Sequence, residues 1–159
     1  MMNYKYLFTD GSVNPQLKIG YGAYLFLDKL ELSQESSNLI KTKKFQNTSS
    51  TKLELETLLW AFEDIAPNSY SLVIYTDCQN ILSLLDRRDK LTQNNYQNSK
   101  DKLINNHILY QNFFKWIDRY ECRFVKIKGH KQKNLKDEID KIFSMVDKAS
   151  REALRDDTF

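Results

Sequence analysis

The chain has 159 residues, 28% charged and 41% hydrophobic, with a formal net charge of +3, which is ordinary for a water-soluble globular protein able to bury a core without disulfides or structural metal. Its apolar runs are too short to span a bilayer, and residues 1 to 10 lack the layout of a signal peptide. Cys78 and Cys122, the two cysteines, have no metal-ligand spacing, so a single cytoplasmic domain over residues 1–159 with reduced thiols is expected.

In chain order, residues 4 to 10 read as a strand, with "YGAYLFL" (21 to 27) and "LELSQESSNLI" (30 to 40) as hairpin partners and Asp28-Lys29 as a turn. From Thr51 the apolar spacing becomes helical through Leu55, Leu58, Leu59, Phe62 and Ile65, and Pro67-Asn68 closes that helix. "SLVIYTD" (71 to 77) is almost wholly apolar, as in a strand buried on both faces. "QNILSLL" (79 to 85) comes next as a helix. Residues 87 to 106, polar and Asn-rich, read as a loop or a short exposed helix. An amphipathic helix over 108 to 120, a strand over 122 to 129 and a helix from about Lys136 to Leu154 complete the chain. The order predicts a mixed α/β sheet with helices against it.

Two strands end alike, "LFTDGS" at Asp10 and "IYTDCQ" at Asp77. If they run parallel as neighbours, both carboxylates emerge at the carboxyl edge of the sheet, where α/β sheets carry their sites. Alternatively, each aspartate caps the helix or turn just after it. On the helix after Thr51, Glu54 falls at the border of the apolar face and Glu56 on the wet side; Thr51-x-x-Glu54 also matches a capping box. In the last helix, Asp140 and Asp147 flank the stripe Ile139, Ile142, Phe143, Val146, Ser150 and Ala153. They are about 10 Å apart along the axis, so one of them at most joins a compact cluster. Gathered acids repel one another unless cations intervene. Oxygen-only ligation favours Mg²⁺ or Mn²⁺ over zinc, and a pair of such ions suits in-line attack on a phosphodiester.

The succession "FTDGS", "TKLELETLLWAFE", "YTDCQNI", "KGH" and "VDKASREAL" resembles type 1 ribonuclease H over roughly residues 4 to 155. The resemblance implies an RNase H-like fold, a five-stranded mixed sheet with three antiparallel strands, then two parallel ones, flanked by helices. It implies a monomeric endoribonuclease that cuts the RNA strand of RNA/DNA hybrids with two Mg²⁺ ions, leaving 5′-phosphate and 3′-hydroxyl ends. By position, Asp10, Glu54, Asp77 and Asp147 match the metal-binding acids, which favours Asp147 over Asp140. His130, in "KIKGHKQKN", matches a histidine that assists proton transfer or product departure; a pKa near neutrality suits that task. A silent binding module and an integrase or resolvase relative share the fold. The four intact acids argue against the first of these, and the TDGS and KGH contexts against the second.

A hybrid is recognised by shape and sugar contacts across a wide minor groove rather than by base sequence. The resemblance assigns Gly11 and Ser12 to close approach to the RNA strand, and Asn14 and Gln79 to the minor groove. It sets Ser49, Ser50 and Thr51 where relatives hold a DNA phosphate with Thr-Asn-Asn. Residues 87 to 106 occupy the place of a basic, Trp-containing handle but lack Trp and carry mixed charge. The lysine-rich segment with Lys126, Lys128, Lys131, Lys133 and Lys136 is therefore expected to share the electrostatic grip on the substrate.

Overall fold

The structure, a computed structural model, describes residues 3–65, 70–128 and 137–158. Five strands form one sheet in the order β3-β2-β1-β4-β5: β1 Tyr4–Asn14, β2 Ile19–Leu27, β3 Lys41–Gln46, β4 Ser71–Thr76 and β5 Cys122–Lys126. The first three are antiparallel, whereas β4 runs parallel to β1 and β5 parallel to β4. The helices are α1 Ser36–Leu39, α2 Ser50–Ile65, α3 Gln79–Gln93, α4 His107–Arg119 and α5 Glu138–Thr158. Alternate residues of β1 face opposite layers. Leu7 joins a core with Leu58, Phe62, Ile81 and Phe113 of α2, α3 and α4, and Phe8 joins one with Ile142, Phe143 and Val146 of α5. This is the RNase H-like α/β arrangement expected from the resemblance.

The third strand is not residues 30 to 40 but Lys41–Gln46, which pairs with β2 from Ile19↔Gln46 to Tyr24↔Lys41. "KTKKFQ" escapes periodicity because it is an edge strand with five of its six residues exposed, and lysines on an edge discourage pairing with other chains. Leu30, Leu32 and Ile40, the apolar residues that suggested a strand, instead pack from the connection against the α5-side core.

Residues 87 to 106 are also more ordered than a loop. α3 continues to Gln93, anchored by buried Leu91. The Arg88 guanidinium donates to both oxygens of Asp118 on α4 at 2.7 and 2.6 Å, a bidentate pair. Beyond it the chain folds back through a single bridge, Gln97↔Leu103. Asn95, Tyr96, Asp101 and Asn106 have positive φ, a conformation that Asn and Asp adopt more readily than other side chains. The asparagines of this segment thus encode its turns.

Candidate metal centre at the fork of the sheet

β1 does not stop at Asp10. Its parallel pairing with β4 ends at Phe8↔Tyr75, while its pairing with β2 continues through Asp10↔Ala23 to Asn14↔Ile19. The sheet therefore forks, and Asp10, 4% exposed, lies just past the split with its side chain on the Phe8 face. Across the fork, the Thr76 hydroxyl accepts the Cys78 N–H at 3.1 Å. This turn displays Asp77 at the carboxyl end of β4, and the N-cap of α3 is Cys78. Neither aspartate is a helix N-cap.

The third acid depends on how closely α2 approaches the sheet. A Cβ on Gly22 would lie 2.1 Å from the Thr57 hydroxyl, and one on Gly11 would lie 2.9 Å from Leu53 Cδ2. Glycine is required here for close approach, not for backbone freedom, since φ is positive at neither residue. With α2 pressed onto β1 and β2, Glu54 accepts a hydrogen bond from the Gly11 backbone N–H. The capping-box alternative is not realised: α2 begins at Ser50, and the Ser49 hydroxyl accepts the Lys52 N–H at 3.4 Å. Glu56 instead accepts from the Thr48 hydroxyl at 2.7 Å.

One carboxylate oxygen from each of Asp10, Glu54 and Asp77 lies within 4.8 Å of the others. Burial and the charges of Glu54, Asp77 and Asp147 push the Asp10 pKa far above its ordinary range, helped by a side-chain hydrogen bond with Asp147. Burial and Asp77 raise Glu54 likewise, while hydrogen bonds from Asp10 and Gly11 partly offset the rise. Glu54 Oε2 is buried without a hydrogen-bond donor. A half-buried acid cluster with an orphaned oxygen fits hard divalent cations, which neutralise it through oxygen ligands.

Asp147 and Asp140 take different parts. Asp140 N–H donates to Asp137 Oδ1 at 2.9 Å, and Asp137 N–H donates back to Asp140 Oδ2 at 3.3 Å, a reciprocal cap on α5. Asp147, two turns on, lies beside Asp10 and pairs with Arg151 Nη2 at 3.0 Å. The i, i+4 spacing in "DKASR" signals this pair, which the sequence reading missed. Also missed was a link from Ser12 to Ser150: their hydroxyls are 3.0 Å apart, and Ser150 donates to the Asp147 carbonyl at 2.9 Å.

A model of the RNase H family matches residues 2–154. The chain belongs to the RNase H family. Curated relatives bearing the name Ribonuclease H occur in Orientia tsutsugamushi, 29% identical over 127 residues that span 78% of this chain and 70% of that protein, and in Caldicellulosiruptor saccharolyticus, 23% identical over 108 residues, 67% of this chain and 74% of that protein. A third, from Clostridium botulinum, is 21% identical over 63% of this chain and 68% of its own length.

The remaining residues singled out in this RNase H family chain lie on several elements. Ser49, Ser50 and Thr51 are exposed at the start of α2, and Lys128 is exposed past β5. Gln79, at the first turn of α3, accepts from Lys126 Nζ at 2.7 Å. Asn14 Oδ1 accepts the backbone N–H groups of Gln16 and Leu17 at 3.1 Å, which leaves its amide N–H groups to donate outward. His130, Lys131 and Lys133, like the helix stop at Pro67-Asn68, lie outside the described residues. No helix of the described residues is long and apolar enough to cross a membrane.

Proposed function

We propose that the protein is a divalent-metal-dependent endonuclease that hydrolyses the RNA strand of RNA/DNA hybrids to 5′-phosphate and 3′-hydroxyl ends. The observation that carries this reading is the meeting of the Asp10, Glu54 and Asp77 carboxylates at the fork of the sheet, with Asp147 beside them. Membership of the RNase H family supports the hybrid as substrate.

These four acids would hold Mg²⁺ ions, or Mn²⁺, by oxygen alone. Such ions, when bound, supply Lewis-acid activation of water and charge neutralisation at the leaving oxygen. The protein's own part is to hold the acids in place. Gly11 N–H fixes Glu54, Arg151 steadies Asp147, and the Thr76 turn aims Asp77. His130 is assigned to assisting proton transfer or product departure.

Gly11, Ser12, Asn14 and Gln79 would serve as donors or close-approach points for the RNA strand and the minor groove. Ser49, Ser50 and Thr51, at the positive end of α2, present hydroxyls to a phosphate of the DNA strand. Lys128, Lys131 and Lys133 extend the electrostatic grip. Replacing Lys131 and Lys133 together with alanine should flatten the salt dependence of hybrid binding by about two in log-log slope. An unchanged slope removes them from the interface.

Labelled RNA/DNA, RNA/RNA and DNA/DNA duplexes incubated with the protein, in Mg²⁺ or in EDTA, test the proposal. Cutting is expected only of the RNA in hybrids, only with metal, and not by Asp10→Asn. Binding of hybrids without cutting under any metal would mark a silent module instead. Cutting of DNA duplexes would point to a resolvase-type activity.

A further inference from the structure

Where the β1–β2 turn meets the last turns of α5 there is an open groove of about 450 Å³, lined by Asn14, Gln16, Arg151, Leu154, Arg155 and Thr158 among others. Asp147, Arg151 and Arg155 succeed one another at i, i+4 and i+8, so they form one stripe along α5, with steps of about 6 Å. The stripe begins in the acidic cluster, because Arg151 Nη2 is 3.0 Å from Asp147 Oδ2. It then runs out along the groove with its charge inverted.

The lining is rich in donors. The side chains of Arg151 and Arg155 are 64% and 60% exposed. Arg155 has an acidic neighbour in Asp156 at 3.8 Å, but that group is 77% exposed, and such pairs are too weak and too screened to occupy a guanidinium. Asn14 has its carbonyl committed to the turn, so it offers only N–H groups. Two guanidinium forks and an amide lining one groove suit an anion with several oxygens on successive units, rather than a single small ion.

We propose that this groove takes the sugar–phosphate backbone of the strand being cut, beyond the scissile bond, with Arg155 on a phosphate farther from the cluster than the one Arg151 meets. The proposal rests on the nuclease reading for the strand's identity. Its electrostatic logic is that the acids repel phosphates flanking the cut, and a cationic stripe directly alongside offsets that repulsion and sets the direction in which the strand leaves.

Arg155 tests this better than Arg151, whose loss would also release Asp147. Binding of a labelled RNA/DNA hybrid that extends a full helical turn on both sides of the cut is followed by fluorescence anisotropy. The comparison sets Asp10→Asn against Asp10→Asn with Arg155→Ala, Arg155→Lys or Arg155→Glu, between about 50 and 200 mM salt. Arg155→Ala should weaken binding about three- to tenfold and lower the log-log salt slope by about one. Arg155→Lys should keep most of the affinity, and Arg155→Glu should lose more than alanine does. Wild-type affinity and slope in both Arg155→Ala and Arg155→Glu would overturn the groove. If the native chain fails to cut hybrids while Arg155→Ala still shifts the slope, the nuclease reading falls and the groove stands. Cutting by the native chain with no effect at Arg155 removes the groove and leaves the nuclease reading in place.

Discussion

Asp10 carries a cost that its neighbours impose. Its pKa and that of Glu54 rise from ordinary values of 3.8 and 4.5 because both are buried among like charges. The folded metal-free protein therefore holds protons that the unfolded chain has released. Stability from this source is fully present below about pH 4 and is lost as pH rises toward the elevated folded values. In EDTA, Asp10→Asn should stabilise the protein at pH 8 by on the order of 1–3 kcal/mol and flatten the pH dependence of its melting temperature, while abolishing cleavage. Thermal unfolding between acid and alkaline pH measures both effects, and a destabilised Asp10→Asn would contradict the electrostatic account. Asp140 and Asp147 differ in the opposite way. Asp140→Ala should cost about 1 kcal/mol as a lost cap yet leave cleavage intact, whereas Asp147→Asn should lose about a hundredfold or more in rate. A paired measurement of melting and cleavage separates a capping aspartate from one that faces the cluster.

At the scale of elements, the position of Glu54 is decided by glycine in strands it does not belong to. Gly22→Ala would place a methyl 2.1 Å from the Thr57 hydroxyl and 2.8 Å from its Cγ2. Helix α2 would have to lift, at a cost of about 1–3 kcal/mol, and carry Glu54 away from Asp10. Adding Thr57→Ala removes the two closest crowding atoms but keeps the Cβ at 2.9 Å, and should recover part of the stability and the rate; a double-mutant cycle with no coupling would show that α2 does not pivot there. The elements also differ in how clearly their residues announced them. α4 and α5 were legible from their apolar stripes, as was β4 from its apolar run, because each buries a face along its own length. β3 was not, since an edge strand facing water carries no apolar period. The Asn-rich segment stayed open between loop and helix for a related reason: residues chosen for left-handed turns look like residues chosen for solubility.

For the whole molecule, the fork between β1 and β4 makes one end of the sheet the meeting point of three acids that are distant in sequence. Metal binding there would act on global stability. An ion that binds only the folded chain adds about 2.7 kcal/mol at a hundredfold excess over its dissociation constant, and here it would also relieve the repulsion. Mg²⁺ should therefore raise the melting temperature of the native protein at pH 8, and should do so little or not at all for Asp10→Asn. Equal shifts in the two proteins would mean that the ion acts elsewhere.

What the amino-acid sequence determined by itself was the kind of chemistry: two Thr-Asp pairs that follow apolar runs, a glutamate on a helix border and no His/Cys ligand set, in an order that resembles type 1 ribonuclease H. Without the resemblance, which favours Asp147, it left two aspartates of α5 equivalent and a capping box open at Glu54, because helical spacing sets the face on which a residue lies but not what that face meets. The tertiary structure decided both. It closed a reciprocal cap around Asp140, brought Asp147 to Asp10, and lowered α2 onto glycine until Glu54 reached the fork. The reason is that an acid's role is set by the distance to its neighbours' charges, and those neighbours come from strands and helices far away in the chain.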